Sequence, residues 1–198
     1  MKQVLVWAII IQVMWFDKML VFAEGSMERK FIHENFKYVR VVPVSNGICW
    51  NCDRLSRQIV TNYRALDYYG DVFVWLDREG RAQSSEEIKG EIRAALIEAG
   101  ADPQRLYILV NDRMTENVIL ADESAIRSEF DKPDYTYEFE GLGGKTKLRA
   151  LYAENGENYK EMVQGSKLLK KIRLTNSALS SPSVSSFLQE CSLDCWWF

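Results

Sequence analysis

Histidine is almost absent from the sequence, and its scarcity excludes several kinds of site. The 198 residues include one histidine, His33. It falls among apolar residues of a predicted helix and is interpreted as a surface or packing residue. A single imidazole excludes Ser-His-Asp triads and metal sites with several histidine ligands. A Walker A loop is also missing, so any ATPase activity would have to come from a partner protein.

The chain has no large excess of either charge, because its net charge is −3. This value excludes a simple polycation, but it conceals an uneven distribution. Residues 144–174 contain eight Lys or Arg and three Glu, a net charge of +5, which leaves −8 for the rest of the chain. Such a division suits a protein that binds a polyanion beside an acidic, metal-binding centre. The alternative interpretation is an ordinary solvated helix face.

The apolar run from Val4 to Phe16 is too short for a transmembrane helix, and Gln12 interrupts it. One interpretation makes it a signal peptide that is cleaved before Glu24, which would predict export. The other makes Met19–Ala23 the first core strand, preceded by another strand or by a misassigned start. Periodicity does not distinguish the two.

Beyond this point the sequence predicts alternating strands and helices. The predicted strands are Met19–Ala23, Tyr38–Val44, Asp71–Leu76 and Arg105–Val110. A capping-box pattern, Ser84 with Glu87, opens a helix that ends at Gly100. The alternation predicts an α/β fold with a mainly parallel, Rossmann-like sheet flanked by helices.

Acidic residues follow three of the predicted strands. Glu24 and Glu28 come after the first, Asp77 and Glu79 after the third, and Asp112, Glu116 and Asp122 after the fourth. Neighbouring strands lie about 5 Å apart, so acids at adjacent strand ends would approach one cation. Mg²⁺ takes a few carboxylates together with water and phosphate oxygens. Helix starts and turns also favour acids, and that ordinary explanation applies to each residue separately.

Several stretches, in this order, resemble the Toprim family. "LVFAEGSMERKFI" (20–32) is similar to its glutamate motif, and "FVWLDREG" (73–80) to its paired-acid motif as found in nucleases of the overcoming-lysogenization-defect type. Later blocks resemble small Toprim-like proteins that are often encoded beside ATPases of anti-phage or restriction loci: "TENVILADESAI" (115–126), "EGLGGKTKLRALY" (140–152), "YKEMVQGSKLLKKI" (159–172) and "SPSVSSFL" (181–188). The resemblance implies a Toprim-like α/β domain at 19–125 and a mainly helical, basic C-terminal extension at 126–198.

The resemblance also implies a metal-dependent nuclease or phosphoryl-transfer activity. Asp77 and Glu79 would hold Mg²⁺ or Mn²⁺, and Glu24 would complete the metal shell or act as general base. Glu28, one helical turn after Glu24, would bind a second ion. Lys145 would neutralise charge on the substrate phosphate. The implied partners are a nucleic acid, DNA rather than RNA, and a companion ATPase; the alternative is a catalytically silent partner in such a complex.

Two further features of the basic segment bear on phosphate binding. Lys167 is a second, weaker candidate for the role given to Lys145. Gly141, Gly143 and Gly144 either let backbone amides approach a phosphate or form a flexible turn before a helix.

Residues 1–18 lie outside the family pattern, which favours an extra strand or a misassigned start over a signal peptide. If Glu24 belongs to the active centre, cleavage before it would remove the strand that presents it. We therefore expect a cytoplasmic protein without stable membrane insertion, and export is the alternative.

Four cysteines support a competing interpretation. Cys49 and Cys52 form a CxxC pair at the start of a predicted helix, the position of the redox pair in thioredoxin-like thiol oxidoreductases. With Cys191 and Cys195 they would supply four thiolates to zinc. Free thiols in a reducing cytoplasm are the interpretation we favour.

The last four residues, 195–198, are Cys-Trp-Trp-Phe. This apolar end is expected to dock on the domain itself, on another subunit or on a companion protein.

Overall fold

A four-stranded, all-parallel sheet forms the centre of the protein and confirms the predicted α/β fold. The computed structural model describes residues 19–37, 39–44, 51–68, 70–138, 143–192 and 197–198. The strands are β1 (Met19–Ala23), β2 (Val39–Pro43), β3 (Asp71–Asp77) and β4 (Leu106–Asn111). Their order across the sheet is β2-β1-β3-β4. All three pairings are parallel.

The composition of each strand matches its position in the sheet. Every residue of β1 and β4 is buried, as expected for strands covered on both faces. Strand β2 lies at the edge of the sheet and ends at Pro43. Proline is tolerated at this position because an edge strand does not need every backbone N–H for the hydrogen-bond ladder. Strand β3 extends one residue beyond its predicted end because Asp77 stays in register with Asn111. Arg105 was predicted in β4 but ends a short 3-10 turn, Pro103–Arg105, which Asp102 caps.

The helices follow the strands at the predicted places. They are α1 (Ser26–Asn35), α2 (Cys52–Leu66), α3 (Ser85–Glu98), α4 (Thr115–Ala121), α5 (Glu123–Phe130), α6 (Gly144–Glu154), α7 (Ser166–Lys171), α8 (Leu174–Ser177) and α9 (Pro182–Glu190). A single π-helical turn, Glu161–Gly165, precedes α7. The capping box of α3 is confirmed, since Ser84 and Glu87 each accept a hydrogen bond from the other's backbone N–H.

The two faces of the sheet carry separate apolar cores. On one face, α2 and α3 cover the side chains of Leu20 and Phe22. We call this the two-helix face. On the other, α1 and the helices from α4 onward cover Val21 and Trp75; we call this the C-terminal face. Much of the segment 126–198 thus packs directly on the sheet.

The apolar C-terminus docks on the chain's own C-terminal face. Trp197 is buried, with its ring centroid 4.8 Å from that of Trp75. Its Nε1 donates a hydrogen bond to the carbonyl oxygen of Leu169 at 2.8 Å. Of the three docking partners expected from the sequence, Trp197 therefore uses the domain itself.

The positions of Cys52 and Cys191 in the two cores bear on the zinc-site and redox-pair interpretations of the cysteines. Cys52 is buried on the two-helix face, whereas Cys191 packs against the C-terminal face. The sheet separates them, which excludes a zinc site that uses both. Burial raises the pKa of the Cys52 thiol to about 12, so it is not a thiolate at neutral pH. Cys49 and Cys195 lie outside the described residues, as does the segment 1–18.

Among the residues that the structure describes, no helix has the length and apolarity needed to cross a membrane.

Candidate active site at the carboxyl ends of the strands

An acidic cleft of about 290 Å³ lies at the carboxyl ends of β1 and β3. Its lining residues are Glu24, Gly25, Ser26, Glu28, Arg29, Asp77, Glu79, Glu116 and Glu161. The four acids predicted as metal ligands, Glu24, Glu28, Asp77 and Glu79, therefore all line one cleft. Ligands of parallel α/β sheets bind at this edge.

Parallel pairing of β1 with β3 brings Glu24 and Asp77 together. Ala23 is paired with Trp75, so the chain leaves both strands at the same level. The backbone N–H of Glu24 donates to the Trp75 carbonyl oxygen at 3.2 Å. The backbone N–H of Asp77 in turn lies 3.4 Å from Oε2 of Glu24. The sheet ladder itself thus holds the Glu24 carboxylate against the end of β3.

The negative charge of Glu24 is matched by a buried arginine. Nη2 of Arg81 lies 2.8 Å from Oε1 of Glu24, and their side chains are 2% and 7% exposed. Arg81 also donates to the backbone carbonyl oxygen of Asp77. Sequence reasoning missed Arg81, because nothing local distinguishes it from other basic residues that follow a strand.

Among the described residues, no basic side chain forms an ion pair with Asp77. Its Oδ1 accepts hydrogen bonds from Nδ2 of Asn111 at 2.9 Å and from the Thr115 hydroxyl at 3.1 Å. Burial raises the pKa of Asp77 well above its usual range, and the nearby Glu28 carboxyl raises it further. The neutral donors orient this carboxyl group without neutralising it.

Glu28 is a second buried acid with which no basic side chain of the described residues forms an ion pair. Burial raises its pKa to about 7, a hydrogen bond with Thr115 opposes the shift, and the charges of Glu116 and Glu161 add to it. The side chain folds back over Gly25, where a Cβ would lie 1.8 Å from Oε2 of Glu28. A side chain at position 25 would therefore displace the carboxyl group of Glu28 from its present place in the cleft.

Glu116 is one of two lining acids that the predicted ligand set omitted, and the other is Glu161. Glu116 lies in α4 just after β4, is buried, and accepts a hydrogen bond from the Tyr159 hydroxyl at 3.2 Å. Burial is the main cause that raises its pKa. The sequence contained the signal, since Glu116 follows a strand as Glu24 and Asp77 do.

Glu79 occupies the tip of the turn after β3. Its φ of 50° is left-handed, and its N–H donates to the Arg113 carbonyl oxygen at 2.7 Å. Burial raises the pKa of Glu79, with a further contribution from Glu24. The residue between the two acids, Arg78, forms an ion pair with Asp112 instead of entering the cleft. In the Asp-Arg-Glu triplet, Asp77 and Glu79 therefore line the cleft, whereas Arg78 lies outside it and pairs with Asp112.

Lys145 lies beside the cleft but is already engaged. Its Nζ forms an ion pair with Glu161, one of the lining acids. Gly144 is needed for packing, because a Cβ there would lie 2.2 Å from Oδ1 of Asn117. Lys167 is exposed on α7 and is not among the lining residues, and Gly141 lies outside the described residues.

The acids line a common cleft, but they are not gathered into a ready-made ligand cluster. Within the described part of the chain, no group of three or more His, Cys, Asp or Glu side chains is close enough to hold a metal ion. Side-chain rotation would therefore have to accompany cation binding.

Comparison of the chain with protein-family models, curated proteins and solved structures found no match.

Proposed function

We propose that the protein is a divalent-cation-dependent phosphoryl-transfer enzyme, with hydrolysis of nucleic-acid phosphodiesters as its reaction. One observation carries this proposal. Several carboxyl groups with raised pKa values face one cleft at the carboxyl edge of a parallel sheet, and those of Asp77 and Glu28 form no ion pair with a basic side chain in the described part of the chain. The motifs that resemble Toprim domains support the same reaction class.

The donor set fits Mg²⁺ or Mn²⁺ chemically. Every acidic side chain in the cleft offers hard oxygen ligands, which these ions prefer. Burial and mutual repulsion raise the pKa values of Asp77, Glu28 and Glu116, and a cation would relieve both effects. These three residues would hold the ion, with Glu79 at the tip of the β3 turn. When bound, the ion would polarise a phosphoryl oxygen and lower the pKa of a water molecule.

Glu24 is suited to a different task from the other acids. Its two carboxylate oxygens are oriented by Arg81 and by the backbone N–H of Asp77. A carboxylate fixed in this way can accept a proton from an attacking water without first reorganising. Of the two roles predicted for Glu24, general base or metal ligand, the pairing with Arg81 favours the first.

The proposed partners follow from charge and from the resemblance. Arg149, Lys160, Lys167 and Lys170 are exposed in the basic segment 144–174, which begins beside the cleft at Lys145. We propose that this segment binds a nucleic-acid backbone, DNA rather than RNA. A companion ATPase of a cytoplasmic anti-phage system is the proposed protein partner.

The test is Asp77→Asn, which removes one charge with almost no change in volume. We expect affinity for Mn²⁺, measured by calorimetry, to fall at least about tenfold, and nuclease activity with the companion ATPase to be lost. The matched control is Asp71→Asn at the other end of the same strand, which should bind Mn²⁺ like the wild type. Equal Mn²⁺ affinity in the Asp77→Asn protein and the wild type would contradict the proposal.

A second candidate function, a catalytically silent interaction partner, is favoured by the Glu24–Arg81 pair. A buried arginine that neutralises the first acid can replace a metal as the structural cation. This candidate predicts that the wild type forms a complex with the companion ATPase but binds no Mn²⁺ in calorimetry.

A further inference from the structure

Arg29 is a basic residue that faces the acidic cleft. It follows Glu28 in α1 and lines the cleft together with six carboxyl-bearing residues. Among the lining residues it is the single one with a positive charge.

Its guanidinium group is poorly satisfied where it lies. Nη2 donates to the Ser26 hydroxyl at 2.8 Å, while Nη1 is shielded from solvent and has no hydrogen-bond partner among the described residues. No ion pair to Arg29 is found within the described ranges, although Arg78, Arg81 and Arg105 each pair with an acid. An unsatisfied buried donor on a charged group is unfavourable, because the group has lost its hydrogen bonds to water and gained none from the protein.

The arrangement differs from that of the other base near the cleft. Lys145 is neutralised by Glu161, so it is available to a substrate only if that pair breaks. Arg29 has no such partner to leave. A guanidinium group also presents two parallel donors, which match the two non-bridging oxygens of a phosphodiester.

We propose that Arg29 binds a phosphodiester group of the nucleic-acid substrate in the acidic cleft. This inference rests on the proposed function, because a bound cation would compensate for the repulsion between the phosphate and the six acids. Arg29 then supplies one positive charge from the protein and specifies a planar, two-oxygen anion. Because Nη1 is shielded from solvent and Nη2 is bonded to Ser26, the side chain rotates away from Ser26 on binding, and both nitrogens then donate to the phosphate.

The experiment measures binding separately from cleavage. A short fluorescein-labelled single-stranded DNA is titrated with the full chain in Ca²⁺, and anisotropy is followed over a range of salt concentrations. RNA of the same sequence forms a second arm. We expect Arg29→Gln to weaken DNA binding about tenfold and to reduce the salt slope by about 0.7, the value for one phosphate contact on a single strand. Arg29→Lys should keep the salt slope and recover part of the affinity.

Arg57→Gln is the matched control, since it removes one exposed arginine charge outside both the cleft and the basic segment. Losses of equal size in the two Gln variants would overturn the proposal in favour of diffuse attraction by the overall charge of the chain. Unchanged binding in Arg29→Gln, or no DNA or RNA binding by the wild type, would overturn it as well. A purely structural Arg29 would be shown by an Arg29→Gln variant with lower thermal stability and unchanged DNA affinity, and that result would also overturn the proposal.

The two proposals fail in different ways. If the wild type binds Mn²⁺ and Arg29→Gln binds DNA normally, the role of Arg29 is wrong and the cation site stands. If DNA binding depends on Arg29 but the wild type has no affinity for Mn²⁺, the cation-dependent function is wrong and the phosphate contact stands.

Discussion

Strand β3 begins and ends with an aspartate, and the two residues have opposite surroundings. At the amino end, Asp71 accepts hydrogen bonds from Nε and Nη2 of Arg105 at 3.1 and 3.0 Å. At the carboxyl end, Asp77 meets neutral donors and other acids, and its pKa is raised. The same residue type on one strand is therefore neutralised at one end and crowded by like charges at the other.

The difference is the reason for proposing a structural role for Asp71 and a functional role for Asp77. The Asp71–Arg105 pair needs no further group, because each charge already has its partner. The cleft that contains Asp77 and Glu28 holds buried negative charge that only protons or a cation can compensate. Proteins accept such a cost mainly where a ligand removes it, so perturbed pKa values of this kind mark functional sites. The predictions below test this contrast.

The largest effect is expected from Arg81→Gln, which breaks the buried ion pair between Arg81 and Glu24 in the cleft. Glu24 would be left buried without its partner, and the free energy of unfolding should fall by about 3–5 kcal/mol in urea denaturation. Added Mn²⁺ should restore part of this loss if the cleft binds cations. Arg57→Gln is the control, since its pair with Asp53 is 73% exposed on both sides and should contribute less than about 1 kcal/mol. Similar losses in both variants would show that the Glu24–Arg81 pair is not special.

A smaller effect is expected from Glu28→Gln, and it should depend on pH. The pKa of Glu28 is raised from 4.5 to about 7, so between these values the folded protein keeps a proton that the unfolded chain has released. The contribution of Glu28 to the free energy of unfolding of the metal-free wild type should therefore be largest below about pH 4.5. This contribution should be lost as pH rises towards about 7. The full difference corresponds to about 3 kcal/mol. Urea denaturation in EDTA at about pH 5 and about pH 8 should show a flatter pH profile for Glu28→Gln than for the wild type.

The raised pKa of Asp77 offers a check on that result. Asp77→Asn removes this second group, whose pKa is raised by burial and by the Glu28 charge, so its own contribution to the pH dependence should be lost. The pH profile of Asp77→Asn should then also be flatter than that of the wild type. Parallel profiles in all three proteins would mean that neither acid is responsible for the pH dependence.

The smallest effect is expected from Asp71→Asn at the paired end. The Arg105 side chain is 43% exposed, so water can solvate it when its partner loses the charge. We expect a loss of about 1 kcal/mol in the free energy of unfolding and no change in Mn²⁺ affinity. A change in Mn²⁺ affinity would break the contrast between the two ends of β3.

Elements with a local signature were predictable. The apolar runs of β1 and β3 and the Ser84–Glu87 capping box each depend on residues close in sequence. The position of the acids followed from them, because the carboxyl ends of parallel strands share one edge. The predicted start of β4, Arg105, was one residue too early, because Arg105 belongs to the 3-10 turn that begins at Pro103.

Partner choice among charged side chains was not predictable from local pattern. Glu24 is 57 residues from the arginine that neutralises it, and Glu116 is 43 residues from Tyr159. Trp197 became a core residue for the same reason, since its site is built from β3 and distant helices.

The amino-acid pattern was thus sufficient for the parallel α/β sheet and for the gathering of acids at its carboxyl edge. Which acid is neutralised and which stays crowded depended on contacts between distant segments, such as Glu24 with Arg81 and Asp77 with Asn111 and Thr115. The physical reason is that secondary structure follows short-range periodicity. The charge state of a buried carboxyl group instead depends on burial and on whichever side chains the folded chain places within a few ångströms.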